Sequence, residues 1–376
     1  MERKSKPGIL ILGKLPPPYF GPAIATQIIL NSSLKNQFQL FHVNNGMNKT
    51  VAEINEIKLK KVWKTFTIYI ELIKSILKHR PAIVLVPISQ STVGFVKDSF
   101  FLIVSKLLNR KTIIHLRGGN LRNVFASSPK IVQWYARFMI KRMQGVIVLG
   151  SKLRYIFKDY LDDDRIFVVP NGANYAFSNT KIRNNGFRIL YLSNLMSSKG
   201  IEDVLSAARI LKSEYKLTFQ LDVVGEWYDE ITKKECLKIF DGCHSCVRFH
   251  LPVHGSKKMS FFENADLFVF PPREPEGHPW VIIEAMAAGL PIISTDQGAI
   301  TESVINGVNG FIVEKKNPRE IAEKIECLLE NDQLRQKMGE ESRRLYLQNF
   351  TEEKMVERLA SVFKKVLANG MIICAA

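Results

Sequence analysis

The stretch EPEGHPWVIIEAMAAGLP, Glu274 to Pro291, decides how the rest of the chain is read. Pro279 suits a first helical position, and Gly289 with Pro291 suits a helix stop, so a short helix lies between them. Trp280, Val281, Ile282, Ile283, Ala285, Met286, Ala287 and Ala288 make that helix apolar nearly all round, which predicts burial. Glu284 sits in its middle. A buried carboxylate without a partner is costly, so something polar must meet it, from the protein or from a ligand. Upstream, the strand-like LFVFPP puts Arg273–His278 at the carboxyl end of a strand and at the helix N-terminus, where backbone N–H groups and the helix dipole favour an anion. Gly277 lets a ligand approach the backbone closely. Glu276 and Glu284 have no Lys or Arg between them, and carboxylates accept hydrogen bonds from hydroxyls. Hydroxyls together with an anion describe a sugar nucleotide. A helix-capping Glu284 and a solvated Glu276 fit the spacing equally.

Outward from this stretch, short β-like runs alternate with amphipathic helical segments, the pattern of parallel α/β sheets. Strands are expected at Ile9–Leu12, Ile83–Val86, Thr112–His115, Val146–Leu149 and Ile166–Val169, the last running into the turn Pro170-Asn171-Gly172. The polar stretch 179–186 reads as a linker. After it the alternation restarts with strands at Arg188–Leu192, Phe219–Val224, Val247–Phe249, Leu267–Phe270 and Pro291–Ser294, and a helix near Ile201–Lys212. Helical stretches from Pro318 to Leu367 close the chain. The expected fold class is α/β, with two doubly wound Rossmann-like domains facing a central cleft and ligands at the carboxyl ends of the strands. The expected division is residues 1–178, 179–350 and a C-terminal helix and tail, 351–376, crossing back to the first domain.

The chain has 376 residues, 46% of them hydrophobic, enough for two domains with cores of their own. No run approaches the roughly 20 apolar residues of a membrane span, and the N-terminal apolar run is too short for a secretory signal. Five cysteines, an odd number, argue for a reducing compartment, so a cytoplasmic protein is expected. Net charge is +17 and lies in one half. Residues 1–180 hold 27 Lys and Arg against 9 Asp and Glu, while the remainder holds 26 against 27. A basic half suits an anionic partner, either a membrane surface, a nucleic acid or a phosphorylated substrate. No zinc-finger, RNP-type or other nucleic-acid signature accompanies it, so no nucleic-acid partner is expected.

The segment from about Phe187 to Phe350 resembles the donor domain of the group-one (family four) retaining glycosyltransferases, which have the GT-B architecture. Their hallmark is Glu-x7-Glu in an E-G-x-P…E-A-M-A-x-G-x-P context, and EGHPWVIIEAMAAGLP is similar nearly throughout. ENADLFVFPP resembles the preceding strand, LSNLMSSKGIEDVLSAA the first strand, phosphate loop and helix, and STDQGAITESVINGVNGFIV the later glycine-bearing turns. The resemblance implies that Glu276 holds hydroxyls of the donor sugar and Glu284 the ribose hydroxyls. It implies that backbone amides of Gly277, His278, Pro279 and Trp280 line the sugar and diphosphate, and that Lys199 neutralises the leaving diphosphate. Gly225 and Asn194 fall on the same donor side. The family pairs its lysine with an arginine about five residues earlier, where this chain has Ser193-Asn194-Leu195; Arg117, Arg122 and Arg273 are candidate substitutes.

In the first half, GKLPPPYFGPAIATQIIL resembles the family's first strand and glycine loop, with Gly21 approaching phosphate and Pro22 opening a helix. TIIHLRGGN resembles the strand end that carries an active-site histidine, here His115, beside Arg117, Gly118 and Gly119; these and Arg122 form the expected acceptor side. From Lys58 to Arg80, lysines interleave with Trp63, Phe66, Tyr69, Ile73 and Leu77 along one broad helical stripe. The stripe suits a helix lying on anionic lipid, and equally a helix packed on the sheet with a solvated basic face. Cys243-His244-Ser245-Cys246 lacks a second cysteine pair for zinc, and Asp162-Asp163-Asp164 reads as solvated.

The resemblance implies a retaining hexosyl- or N-acetylhexosaminyl-type transferase that uses a UDP- or GDP-sugar and needs no cofactor or metal. With the basic half, it points to a lipid-linked or saccharide acceptor at the inner face of the membrane, in assembly of capsule, O-antigen, lipopolysaccharide or exopolysaccharide. A sugar-nucleotide epimerase of the same architecture, and a non-catalytic nucleotide-sugar-binding subunit, are the alternatives.

Overall fold

A computed structural model describes residues 6–17, 19–46, 59–177, 186–240 and 245–368. The linker expected at 179–186 falls almost wholly outside these residues, as do Cys243, His244 and the final MIICAA. The chain divides into two compact units, Met1–Ala173 with Glu352–Ala376, and Asn174–Thr351.

The first unit is built on six parallel strands, β1 (Gly8–Gly13), β2 (Gln39–Asn44), β3 (Ile83–Ile88), β4 (Lys111–Leu116), β5 (Gly145–Val148) and β6 (Ile166–Val168), in the order β2-β1-β3-β4-β5-β6. The central strands are near-continuous Ile, Leu and Val, as sheets covered on both faces require. Alternate strand residues Ile9, Ile11, Ile83, Leu85, Ile113 and Ile147 form one core with Ile29 of α1 (Gly21–Asn31) and with α12 (Glu352–Ala368). The last helix is therefore part of this unit's core. Phe363 meets Phe38 edge-on at 5.6 Å, and Lys111 donates to the carbonyls of Val366 and Leu367 at the helix end, at 2.9 and 2.8 Å. The cation at the helix C-terminus also complements the dipole. Over the other face lie α2 (Leu59–His79), α3 (Thr92–Leu107) and α5 (Lys130–Lys141), with the short α4 (Leu121–Ser127) beside α5.

The second unit has six parallel strands, β7 (Phe187–Leu192), β8 (Phe219–Val224), β9 (Val247–His250), β10 (Leu267–Phe270), β11 (Ile292–Thr295) and β12 (Gly310–Val313), ordered β12-β11-β10-β7-β8-β9. Strand order reverses between β7 and β10, and ligands of such sheets bind outside the carboxyl ends of the strands at that switch point. The helices that matter here are α6 (Ile201–Ser213), α8 (Gly255–Glu263), α9 (Trp280–Ala287), α10 (Pro318–Glu330) and α11 (Asp332–Asn349), with α7 (Glu230–Phe240) between β8 and β9. Helix α9 starts at Trp280, with Pro279 as its cap one residue before the position read from the sequence. Both sheets are parallel throughout, and the two expected doubly wound domains are present. The two strands that the sequence reading omitted, β2 and β12, are edge strands.

Candidate functional site

The loops after β7 and β10 bring the expected donor residues together at the second unit's switch point. After β7 the chain passes through Ser193 and the exposed Asn194 to a short 3-10 turn, Ser197–Lys199, and enters α6 through Gly200. After β10 it runs through Pro271, Pro272 and Arg273 to Glu276 and then into α9. The Lys199 ammonium pairs directly with Glu276 Oε1. Both side chains are partly exposed, so the pair borders solvent while the loops beneath it are fixed.

Arg273 does that fixing. Its Nε and Nη2 donate to the two carboxylate oxygens of Asp203 at 2.7 Å each, its Nη1 donates to Ser197 Oγ at 2.9 Å, and Glu202 lies 3.3 Å away. A bidentate guanidinium–carboxylate pair is among the strongest and most geometry-specific of contacts. The hydrogen bond to Asp203 holds the Arg273 guanidinium above even its usual range. Arg273 therefore ties the β10 loop to the first turn of α6, with its guanidinium engaged by Asp203, Ser197 and Glu202. Its backbone N–H donates to Ser198 at 2.9 Å, reinforcing the same junction.

From below, the turn at Gly298 supports Glu276 and Gly277. Gly298 has φ +62°, and a side chain there would meet the Glu276 carbonyl at 2.0 Å. Ala299 N–H donates to the Gly277 carbonyl at 2.9 Å. His278, expected among the donor contacts, points its ring inward: Nε2 lies 2.6 Å from Ser303 Oγ and the ring packs 5.0 Å from Phe350. Its imidazole is an anchor for the loop, and only its backbone faces the loop's own course. Trp280 is likewise buried. Gly225, at the end of β8, fits because a side chain would meet the Ser193 carbonyl at 1.8 Å; it is a packing glycine beneath the β7 loop.

Glu284 meets protein partners, although its Oε2 makes no hydrogen bond among the described residues. It is 3% exposed. The Lys258 ammonium, from α8, stands 2.6 Å from both carboxylate oxygens, and the Tyr175 hydroxyl donates to Oε1 at 3.3 Å. Burial first, then the Glu284 charge and hydrogen bond, push the Tyr175 hydroxyl far up, so it stays a neutral donor. Lys258 went unnoticed in the sequence. In GSKKMSFF it is one of two adjacent lysines, and nothing local marks it as the buried one.

In the first unit, Gly21 opens α1 directly after the β1 loop. His115 lies on β4, opposite Pro87 of β3, 4% exposed, and neither ring nitrogen has a hydrogen-bond partner among the described residues. Burial, then the charge of Arg117, drive its pKa far below the usual value, so the ring is neutral. Arg117 is itself lowered by burial to about 10, and its Nη1 lacks a partner among the described residues. Gly118 lies against the Gln90 amide, which a side chain there would displace and whose Oε1 accepts from Asn120 N–H at 2.7 Å. Gly119 is buried beside it. Arg122 is exposed and engaged with Tyr155 and, at 3.4 Å, with Asp159. Asp163 pairs with Arg154 at 3.1 Å. Among the described residues no group of three or more His, Cys, Asp or Glu could hold a metal ion.

The second unit's switch point thus carries a Lys199–Glu276 pair on the loops after β7 and β10, and a buried Glu284 in the helix that follows. Residues 174–345 match the family model for glycosyl transferases, group 1. It is 33% identical over 187 residues to the capsular polysaccharide biosynthesis glycosyltransferase CapM of Staphylococcus aureus, covering 50% of this chain and 48% of CapM. It is 27% identical over 181 residues to the N,N'-diacetylbacillosaminyl-diphospho-undecaprenol alpha-1,3-N-acetylgalactosaminyltransferase of Campylobacter jejuni, covering 48% and 45% of the two chains. The chain thus spans about half the length of these two relatives in the aligned regions. A glycosyltransferase from Rickettsia africae has a similar fold, with TM-score 0.78 at 19% identity over 97% of this chain and 99% of that one. So does Anabaena HepE in complex with UDP, with TM-score 0.72 at 16% identity over 95% and 100%.

Proposed function

We propose that the chain is a retaining glycosyltransferase that moves a sugar from a nucleoside diphosphate to an acceptor hydroxyl in polysaccharide or glycoconjugate assembly. The observation that carries this reading is the switch-point constellation of Lys199, Glu276 and Glu284, set on loops that Arg273 and Gly298 hold in place. The family match and the UDP complex of a structural neighbour support the choice of donor.

In this reading Glu284 accepts hydrogen bonds from the ribose hydroxyls, with Lys258 and Tyr175 keeping it charged and oriented. Glu276 accepts from hydroxyls of the transferred sugar. Lys199 meets the diphosphate, whose charge grows as the bond from its oxygen to the anomeric carbon breaks. The acceptor oxygen bonds to that carbon from the same face, and the acceptor proton passes to the departing diphosphate. Catalysis rests on positioning and on charge stabilisation at the leaving group. Lys199 and the amides at the start of α9 supply positive potential without a metal. His115, neutral and without a hydrogen-bond partner among the described residues, suits a hydrogen bond to a ligand hydroxyl better than proton abstraction. A lipid-diphosphate-linked acceptor at a membrane surface fits both the basic first half and the Campylobacter relative's named substrate.

The test is a panel of UDP- and GDP-sugars incubated with bacterial membranes and EDTA, beside Glu284→Ala. Labelled sugar in the organic-extractable lipid, absent with the variant, is the expected result. An isomerised donor would replace this reading with an epimerase, and donor bound but unchanged would replace it with a binding subunit.

A further inference from the structure

The first unit carries an apolar surface that its own core does not use. Helices α2, α3 and α5 form one layer over the sheet. Tyr69 of α2 packs 4.8 Å from Phe101 of α3 and donates its hydroxyl to the Lys97 carbonyl at 2.8 Å, and Ser99 of α3 shares a 2.7 Å hydrogen bond with Tyr135 of α5. Each helix seats one stripe inward and holds a second apolar stripe outward.

On α2 the buried residues are Ile68, Leu72 and Ile76, whereas Trp63, Phe66, Ile70, Ile73 and Leu77 are exposed. At about 100° per residue the two sets lie roughly 140° apart. On α5, Ala136, Met139 and Ile140 face inward and Ile131, Trp134 and Phe138 outward. On α3 the outward set is Val93, Phe100 and Leu107, spaced by seven, with Phe95, Phe101 and Leu102 inward. Trp63 is 71% exposed and Trp134 60%. Isolated exposed apolar residues need no explanation, but three adjacent outward stripes form a patch that does.

The charges around the patch identify its occupant. The three helices carry ten Lys and Arg against only Glu71 and Asp98, and Asp98 is buried, bonded to Ser89 and paired with Lys97. Lys64, Lys74, Lys78, Lys106, Lys130 and Arg137 are exposed on the same three helices. A second copy docking through the same face would set this positive charge against itself, as a two-fold interface requires. A bilayer with anionic headgroups takes both components, with tryptophans at the interface and basic side chains among phosphates.

We propose that the outer face of α2, α3 and α5 docks on an anionic lipid bilayer, with Trp63, Phe66, Trp134 and Phe138 entering the headgroup layer. Among the described residues no helix is long and apolar enough to cross a membrane, so the contact is peripheral. The proposal takes from the functional reading only its membrane-borne acceptor, and it is tested without turnover.

The full chain is sedimented with vesicles of phosphatidylcholine, alone and mixed with phosphatidylglycerol, and its tryptophan emission is followed with brominated lipid. Partition is expected on mixed vesicles only. Trp134→Ser should lower it about tenfold or more, and Lys141→Glu about fivefold or more. Leu251→Ser, exposed in the second unit, should leave it unchanged. The conservative pair Trp63→Phe and Trp134→Phe should still bind but lose quenching by brominated lipid, leaving only Trp227 and Trp280 to emit. Circular dichroism checks that each variant folds. Equal partition of wild type and Trp134→Ser, quenching that survives the double variant, or self-association abolished by Trp134→Ser would each overturn the proposal. Nucleotide-sugar binding in lipid-free buffer, measured on the same samples, reports on the donor site separately.

Discussion

Glu284 shows what a single residue can disclose. A carboxylate in an apolar helix needs a partner, and that need is legible in WVIIEAMA. Lys258 is not legible, because only the fold brings α8 against α9. Breaking the pair from one side strands the other charge, so Lys258→Met should cost about 3–5 kcal/mol in denaturant unfolding. Lys258→Met combined with Glu284→Leu should recover most of that loss, since no charge is then stranded. His115 makes a second prediction. Its folded pKa lies below its unfolded value, so the unfolded chain binds the extra proton as pH falls. Stability is therefore full above the unfolded pKa of about 6.5 and declines as pH drops below it. Denaturant melts at pH 7.5 and 5.5 should show this loss, and His115→Asn should shrink it.

At the scale of elements, the central strands were readable because buried parallel strands are continuous apolar runs. The omitted strands were not. QLFHVN of β2 mixes polar and apolar residues, with only Val43 fully buried, and GFIV of β12 is four residues beginning with glycine. Both pair on one side only, so their sequences are less constrained. Helix α2 shows the opposite difficulty. Its exposed stripe was visible as a stripe, but its direction was open, and Ile68, Leu72 and Ile76 turn out to serve the core instead. Tyr69, read as part of the same stripe, packs on α3. The motif loop depends on its supporting turn, and Gly298→Ala tests this. The left-handed backbone costs a side chain about 1–2 kcal/mol, and the overlap with Glu276 must also be relieved. Thermal unfolding should register the cost, and donor affinity should fall with it as Glu276 shifts.

For the whole molecule, the charge division read from the sequence acquires a place. The basic half is the first unit, and part of its charge is exposed on α2, α3 and α5, the helices with outward apolar stripes. The donor motif belongs to the second unit, where the family match also lies. The motif was legible because it is local in sequence, with Glu276 on the loop before α9 and Glu284 within that helix. What stabilises it was not, since Arg273, Gly298 and Ser303 act through contacts between segments distant in sequence. Arg273→Lys keeps the charge but loses the bidentate contact to Asp203. Transfer assays should show a raised KM for donor together with a lowered kcat, because both switch-point loops loosen.

In the proposed function, the second unit's switch point binds a nucleoside diphosphate sugar through Glu284. Calorimetry with UDP- and GDP-sugars, in EDTA, on the wild-type chain and on Glu284→Gln tests it most directly. Saturable binding of a sugar on one of the two nucleotides is expected, weakened about tenfold to a hundredfold in Glu284→Gln by loss of charged hydrogen bonds to the ribose. Binding unchanged in the variant, or no binding of either nucleotide class to the folded wild type, would contradict it.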